Sequence, residues 1–181
     1  FIHKHPIGFA DHGCLVVSAT DGYPTRSGER ALRFEVREGD CNANDSWDDC
    51  ATDRSRHELS QHWLPPSMAS YHPQYDGDDY WYGWSVYLPS EVLKQGDSIT
   101  FLGQFNSDNS ARFYFEDFPN GLGFRFNDRN YEFIAQRALQ QNAVVRGTWT
   151  DVVMHVVRSV SQDGLIEIYI NGDLLETFEG V

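Results

Sequence analysis

The feature that most constrains this chain is a succession of short alternating segments punctuated by turn residues. Tyr80-Trp81-Tyr82-Gly83-Trp84-Ser85-Val86-Tyr87-Leu88 is the strongest, a run of residues that suit a pleated surface, stopped by Pro89. Ile99–Phe105, Ala111–Phe115, Leu122–Phe126 and Tyr131–Ala135 follow it, separated by Asn, Asp and Gly. Trp149–Val157 comes next, then Leu165–Ile170, which closes on the hairpin signal Asn171-Gly172 before Leu174–Phe178. Upstream, Cys14–Ser18 and Ala31–Val36 read as strands. Only Arg137–Val144 hints at a helix, and Pro89–Leu93 at a single helical turn. So many strands at short spacing, with little helix, predict an all-β antiparallel two-sheet sandwich. Neither an internal repeat nor a linker interrupts it, so one domain is expected over residues 1–181.

Composition narrows the partners. Hydrophobic residues make up 40% of the 181 and aromatics 14%, enough for one well-filled core. With 14 Lys+Arg against 27 Asp+Glu the net charge is −13, which disfavours nucleic acid and any densely sulfated polyanion. No apolar run approaches the ~20 residues of a membrane span, so no membrane partner is expected. The chain begins at Phe1 without a methionine or a signal-peptide pattern, as a mature N-terminus or an excised domain would. Cys41 and Cys50 flank a polar loop of the kind a local disulfide closes, while Cys14 in its apolar run reads as a buried thiol. The Cys41–Cys50 loop points to an oxidising compartment, hence a secreted or periplasmic protein. The Asp-rich stretch Asp40–Asp53 offers oxygen ligands for calcium, but it lacks the EF-hand glycine and glutamate and reads as a solvated acidic loop.

Alternation also sorts the polar side chains. Read as a strand, Arg54–Gln61 puts Arg56, Glu58 and Ser60 on one face and His57 and Leu59 on the other. Such a strand is either a solvated face with an ion pair or one wall of a polar cleft. In Ile99–Asn106, Phe101, Gly103 and Phe105 share one side, and Leu102, Gln104 and Asn106 the other. Arg112, Tyr114 and Glu116 oppose Phe113 and Phe115, and Arg125 and Asn127 oppose Phe124 and Phe126. One sheet presenting Arg56, Gln104, Asn106, Arg112, Tyr114 and Arg125 on its outer face suits a sugar chain that carries carboxylates.

Arg56-x-Glu58-Leu59, Tyr82-Gly83-Trp84-Ser85-Val86-Tyr87-Leu88-Pro89, Gln104-x-Asn106, Trp149-x-Asp151 with His155, and the Asn171-Gly172 turn together resemble the β-jelly-roll polysaccharide lyases. The glucuronan-lyase and heparin-lyase-I-like group, related in fold to the alginate lyases, is the nearest branch, and the resemblance spans roughly residues 28 to 175. It implies a concanavalin-like jelly roll and eliminative cleavage of an acidic polysaccharide. The substrate expected is an unsulfated or lightly sulfated polyuronate, glucuronan-like before alginate-like. Such chemistry needs a group that neutralises the C5 carboxylate, a base for the C5 proton and an acid for the departing O4 oxygen. Gln104, helped by Arg56, suits neutralisation; the relatives' Gln-x-His pattern has Asn106 in the histidine slot. The base is then His57, if a bulge re-aims it, or Tyr114. Asn106, Arg112, Arg125 and Glu58 are the expected substrate contacts.

The resemblance further implies a structural calcium, with no ligands assigned, and no organic cofactor. It also implies a last strand bearing a catalytic tyrosine and lysine. This chain stops at Val181, where that strand should begin, so a second polypeptide supplies it or the site is incomplete. His155 reads as a core or interface histidine and Tyr80–Tyr87 as core. The competing expectation is a non-catalytic carbohydrate-binding module or lectin on the same sandwich. Glycoside hydrolysis would need paired carboxylates on a strand, and no Glu-x-Asp-x-x-Glu strand is present.

Overall fold

In the computed structural model the chain forms two compact units, Phe1–Pro73 and Gln74–Val181. The residues described are 3–4, 10–41, 43, 48–57, 59–60, 77–91, 100–107, 110–118, 121–127, 133–138, 146–159, 161 and 163–180.

The first unit holds two small antiparallel pairs. Strand β1 (His3–Lys4) pairs with β4 (Leu59–Ser60), and β2 (Cys14–Ser18) with β3 (Arg30–Phe34). Between β2 and β3 a 3-10 turn, Ala19–Asp21, starts where the Ser18 hydroxyl accepts from the Thr20 amide at 3.0 Å. It ends at Gly22, whose φ of 82° suits glycine. The Cys41–Cys50 disulfide is formed, and a second 3-10 turn, Cys50–Thr52, follows it. Cys14 is buried and outside any disulfide, as its apolar neighbours suggest.

The strand expected over Arg54–Gln61 is a correction. Only Leu59–Ser60 pairs; residues 54–57 are irregular, and Glu58 and Gln61 lie outside the described residues. The reason is that the side chains of Arg56 and His57 are tied to acidic residues of the preceding loop rather than standing off a ladder.

The second unit is the antiparallel sandwich. One sheet runs β12 (Asp173–Glu179), β11 (Leu165–Ile170), β10 (Trp149–Val157), β5 (Asp79–Tyr87). The other runs β6 (Thr100–Ser107), β7 (Ser110–Phe118), β8 (Gly121–Asn127), β9 (Phe133–Ala138). Both are wholly antiparallel, and the described helix amounts to the two 3-10 turns. Alternation builds the core. Val152, Met154 and Val156 of β10 and Ile166, Ile168 and Ile170 of β11 point inward, meeting Phe115, Leu122, Phe124 and Phe126 of the facing sheet. The rings of Trp84 and Phe115 meet edge to face across this layer at 5.7 Å, a favoured aromatic geometry.

At the β11–β12 hairpin Asn171 (φ 53°) and Gly172 (φ 94°) make the expected two-residue turn. The Asn171 carbonyl oxygen of the side chain accepts from the Asp151 amide at 2.9 Å, which fastens the turn to β10. The helix hinted at over Arg137–Val144 is not formed at its start: Arg137 and Ala138 end strand β9, and residues 139–144 lie outside the described residues. Local helical composition there yields to pairing with Phe124 and Gly123 of β8. Among the described residues, no helix is long and apolar enough to cross a membrane.

Candidate active site

Across the sheet that contains β6, β7 and β8, one line of residues stands in register. Gln104 lies opposite Tyr114, Tyr114 opposite Arg125, and Arg125 opposite Gln136 of β9. Neighbours directly across antiparallel strands share a face, so Gln104, Tyr114 and Arg125 lie on the side away from the Phe115–Phe124–Phe126 core. Gln104 is exposed, and Tyr114 and Arg125 are half-buried.

Phe101 belongs to the same surface, and that corrects its expected place beside Phe105. The pairing runs Phe101 to Glu116 and then Gly103 to Phe115, so Leu102 is an extra residue in β6. Such a bulge turns everything on one side of it over by half a period. Leu102 therefore packs on the core while Phe101, 51% exposed, lies against Tyr114 at 5.1 Å between ring centres.

Arg125 is held from three sides. It donates to the carboxylate of Glu116, which is fully buried, and its guanidinium carbon sits 5.4 Å from the Phe101 ring centre and 5.1 Å from that of Tyr114. A buried carboxylate needs a paired cation, and a cation over aromatic faces gains further attraction. The result holds the guanidinium and the phenol against one another. On the strand's other side, Asp117 accepts from Arg146 at 2.7 Å.

In the first unit Arg56 donates to the buried Asp49 at 2.6 Å. His57 Nε2 lies 3.1 Å from Asp40 Oδ2, and His12 Nε2 lies 2.8 Å from the same oxygen. The His57 side chain is only 1% exposed. A Cβ added to Gly13 would come within 2.6 Å of its ring, so bare backbone covers it. The His12 hydrogen bond, then the Arg37 amide and the His57 bond, hold the Asp40 carboxyl down at about 2.

A family model of polysaccharide lyases matches residues 17–180. The chain belongs to the polysaccharide lyase family. Among solved structures it is similar to endo-β-1,4-glucuronan lyase from the fungus Trichoderma reesei. That likeness is 17% identical with a TM-score of 0.42, over 59% of this chain and 50% of that one. The chain thus spans half the length of that structure. No curated protein matches the sequence.

For this lyase-family chain the expected site residues divide by unit. Gln104, Tyr114 and Arg125 come together in one register line. Arg112 pairs with Asn127 at the backbone, but its side chain, with those of Asn106 and Glu58, lies outside the described residues. Arg56 and His57 are in the other unit, each bonded to an aspartate. His155, expected in the core or an interface, stands on the outer face of β10. It bonds Glu167 and Asp79, each at 2.8 Å, and stacks on Trp81 at 4.1 Å. The bond to Glu167, then that to Asp79, raises its pKa above the ordinary histidine value. Trp81 itself is 58% exposed, so the aromatic run is core only on its Tyr82–Trp84–Val86 side.

The acidic loop's described carboxylates do not converge as a calcium site does. Asp48 accepts from the Ala51 amide at 2.9 Å, Asp49 from Arg56, and Asp40 from two histidines. Calcium takes ~6–8 oxygens. The group of three ligating side chains that does converge among the described residues is His12, Asp40 and His57, two of them imidazoles. Sequence reasoning singled out neither His12, in a stretch without a period, nor Asp40 as a partner for His57. Their separations of 28 and 17 residues carry no local signal.

Proposed function

We propose that this chain cleaves an unsulfated or lightly sulfated polyuronate, glucuronan-like before alginate-like, by β-elimination. The observation that carries the reading is the register line Gln104–Tyr114–Arg125, an exposed amide beside a phenol braced by a guanidinium. In this scheme Gln104 donates its amide N–H to the C5 carboxylate, and the Arg125 cation adds positive potential to the same surface. Tyr114, entering the step as the phenolate, takes the C5 proton and becomes the phenol. The electrons of that C–H bond form the C4–C5 double bond as the C4–O4 bond breaks, and the phenol returns a proton to O4. Phe101 offers an apolar ring face next to the reacting sugar. His57 comes second to Tyr114 as the base, the reverse of the sequence expectation, because a base must reach its proton and this ring is enclosed. Asn106, Arg112 and Glu58 are retained as substrate contacts. Action outside the cytoplasm is supported by the Cys41–Cys50 disulfide.

The test is a panel of uronic-acid polymers followed by near-ultraviolet absorbance, which the C4–C5 double bond of the product confers. Glucuronan should give the fastest rise, alginate a slower one and heparin the least. Saturable binding without any rise would reduce the site to a carbohydrate-binding module, and neither binding nor product on any polymer would end the reading.

A further inference from the structure

We propose that His12, Asp40 and His57 of the first unit form a binding site for a divalent cation of the zinc class. The three residues come from distant parts of the first unit, yet their ligand atoms all lie within 4.8 Å of one another. Zinc bound tetrahedrally at ~2.0–2.1 Å places neighbouring ligand atoms about 3.3 Å apart. The observed separations from Asp40 Oδ2, 2.8 Å to His12 Nε2 and 3.1 Å to His57 Nε2, lie within about half an ångström of that spacing, and the two imidazole nitrogens stand within 4.8 Å of each other.

Donor chemistry selects the ion. Two imidazole nitrogens with one carboxylate oxygen suit zinc and its first-row neighbours, whereas calcium and magnesium prefer oxygen throughout. The surroundings fit a preformed site as well. Arg37 donates its backbone N–H to Asp40 Oδ2 at 2.6 Å, the kind of outer hydrogen bond that orients a metal-binding carboxylate. Gly13 lies flat on the His57 ring, and His12 meets that ring edge-on at 5.7 Å between centres, so the imidazoles are fixed before any ion arrives. Access runs from the His12 side, where exposure falls from 22% at His12 through 12% at Asp40 to 1% at His57.

The position of the site says what the ion does. Asp40 immediately precedes Cys41 and His57 follows Cys50, so the ion closes a wider loop around the one the disulfide closes. It fastens both to the segment that enters β2. An ion bound only by the folded unit stabilises that fold.

The experiment uses the full chain stripped with a chelator and titrated calorimetrically with zinc chloride, without any sugar present. Expected are one saturable zinc per chain and a thermal midpoint raised by about 5 °C at ~100-fold excess over Kd. Cobalt(II) should give the visible absorption of a tetrahedral site. His12→Ala, at the most exposed of the three ligands, and Asp40→Asn, which keeps the side chain's shape, should each weaken zinc at least about tenfold. His155→Ala, in the other unit, should leave it unchanged. Absence of saturable zinc binding, equal binding in both ligand variants, or calcium displacing zinc at equal concentration would overturn the proposal. None of these readouts depends on turnover.

Discussion

The two sheets of the sandwich share a core and differ on their outer faces. On the sheet built around β10 and β11, the outer polar groups are mainly carboxylates already bound to neighbours. Asp79 and Glu167 hold His155, and Asp151 accepts from Ser85 at 2.6 Å. On the sheet built around β7 and β8, the outer face carries Gln104, Tyr114 and Arg125, with the lone described carboxylate, Glu116, buried under its arginine. Under the proposed function, a polyanion would be repelled by the first surface and received by the second. In a chain of net charge −13, that local contrast is what the proposed function needs to single out one face.

The sharpest way to break this contrast is Tyr114→Phe. Removing a proton-transfer group should cut product formation by ~10²–10⁴-fold, read from near-ultraviolet absorbance, with far-ultraviolet circular dichroism unchanged. A Trp81→Phe change on the opposite sheet should leave turnover alone; equal losses in both would erase the distinction. Next in size is Arg125→Met, which strands the buried Glu116. It should cost about 3 kcal/mol in denaturant unfolding and lower turnover too, since the same guanidinium braces the phenol. The smallest effect belongs to His155. Its pKa is raised on folding, so its stabilising contribution is complete below the ordinary value of 6.5 and disappears as pH rises through the raised one. Stability of the wild type should therefore fall over that window by less than ~1 kcal/mol, and His155→Gln should flatten the fall.

What was legible in the sequence follows the same division. Strands β10 and β11 alternate without interruption, and their bounds match those read from residue pattern alone. The line Gln104–Tyr114–Arg125 was legible because each residue keeps the period of its own strand. Phe101 was not, because an inserted residue leaves no mark on composition and merely shifts the phase. Around Arg56 and His57 the sequence pattern suggested a strand, whereas the bond of Arg56 to Asp49 in the adjoining loop and the long-range bond of His57 to Asp40 decide the path. Pairings across 17 or 28 residues depend on where loops return, which no local window contains.

The supernumerary Leu102 gives β6 two different orientations along its length. Deleting it would leave Phe101 opposite Glu116 on the outer face, with the amide at Gln104 where it is, and would remove only the Leu102 side chain from the core. A single-residue deletion here would thus keep both the aromatic ring and the hydrogen-bonding group on the outer surface, and its cost would fall on the packing of the interior.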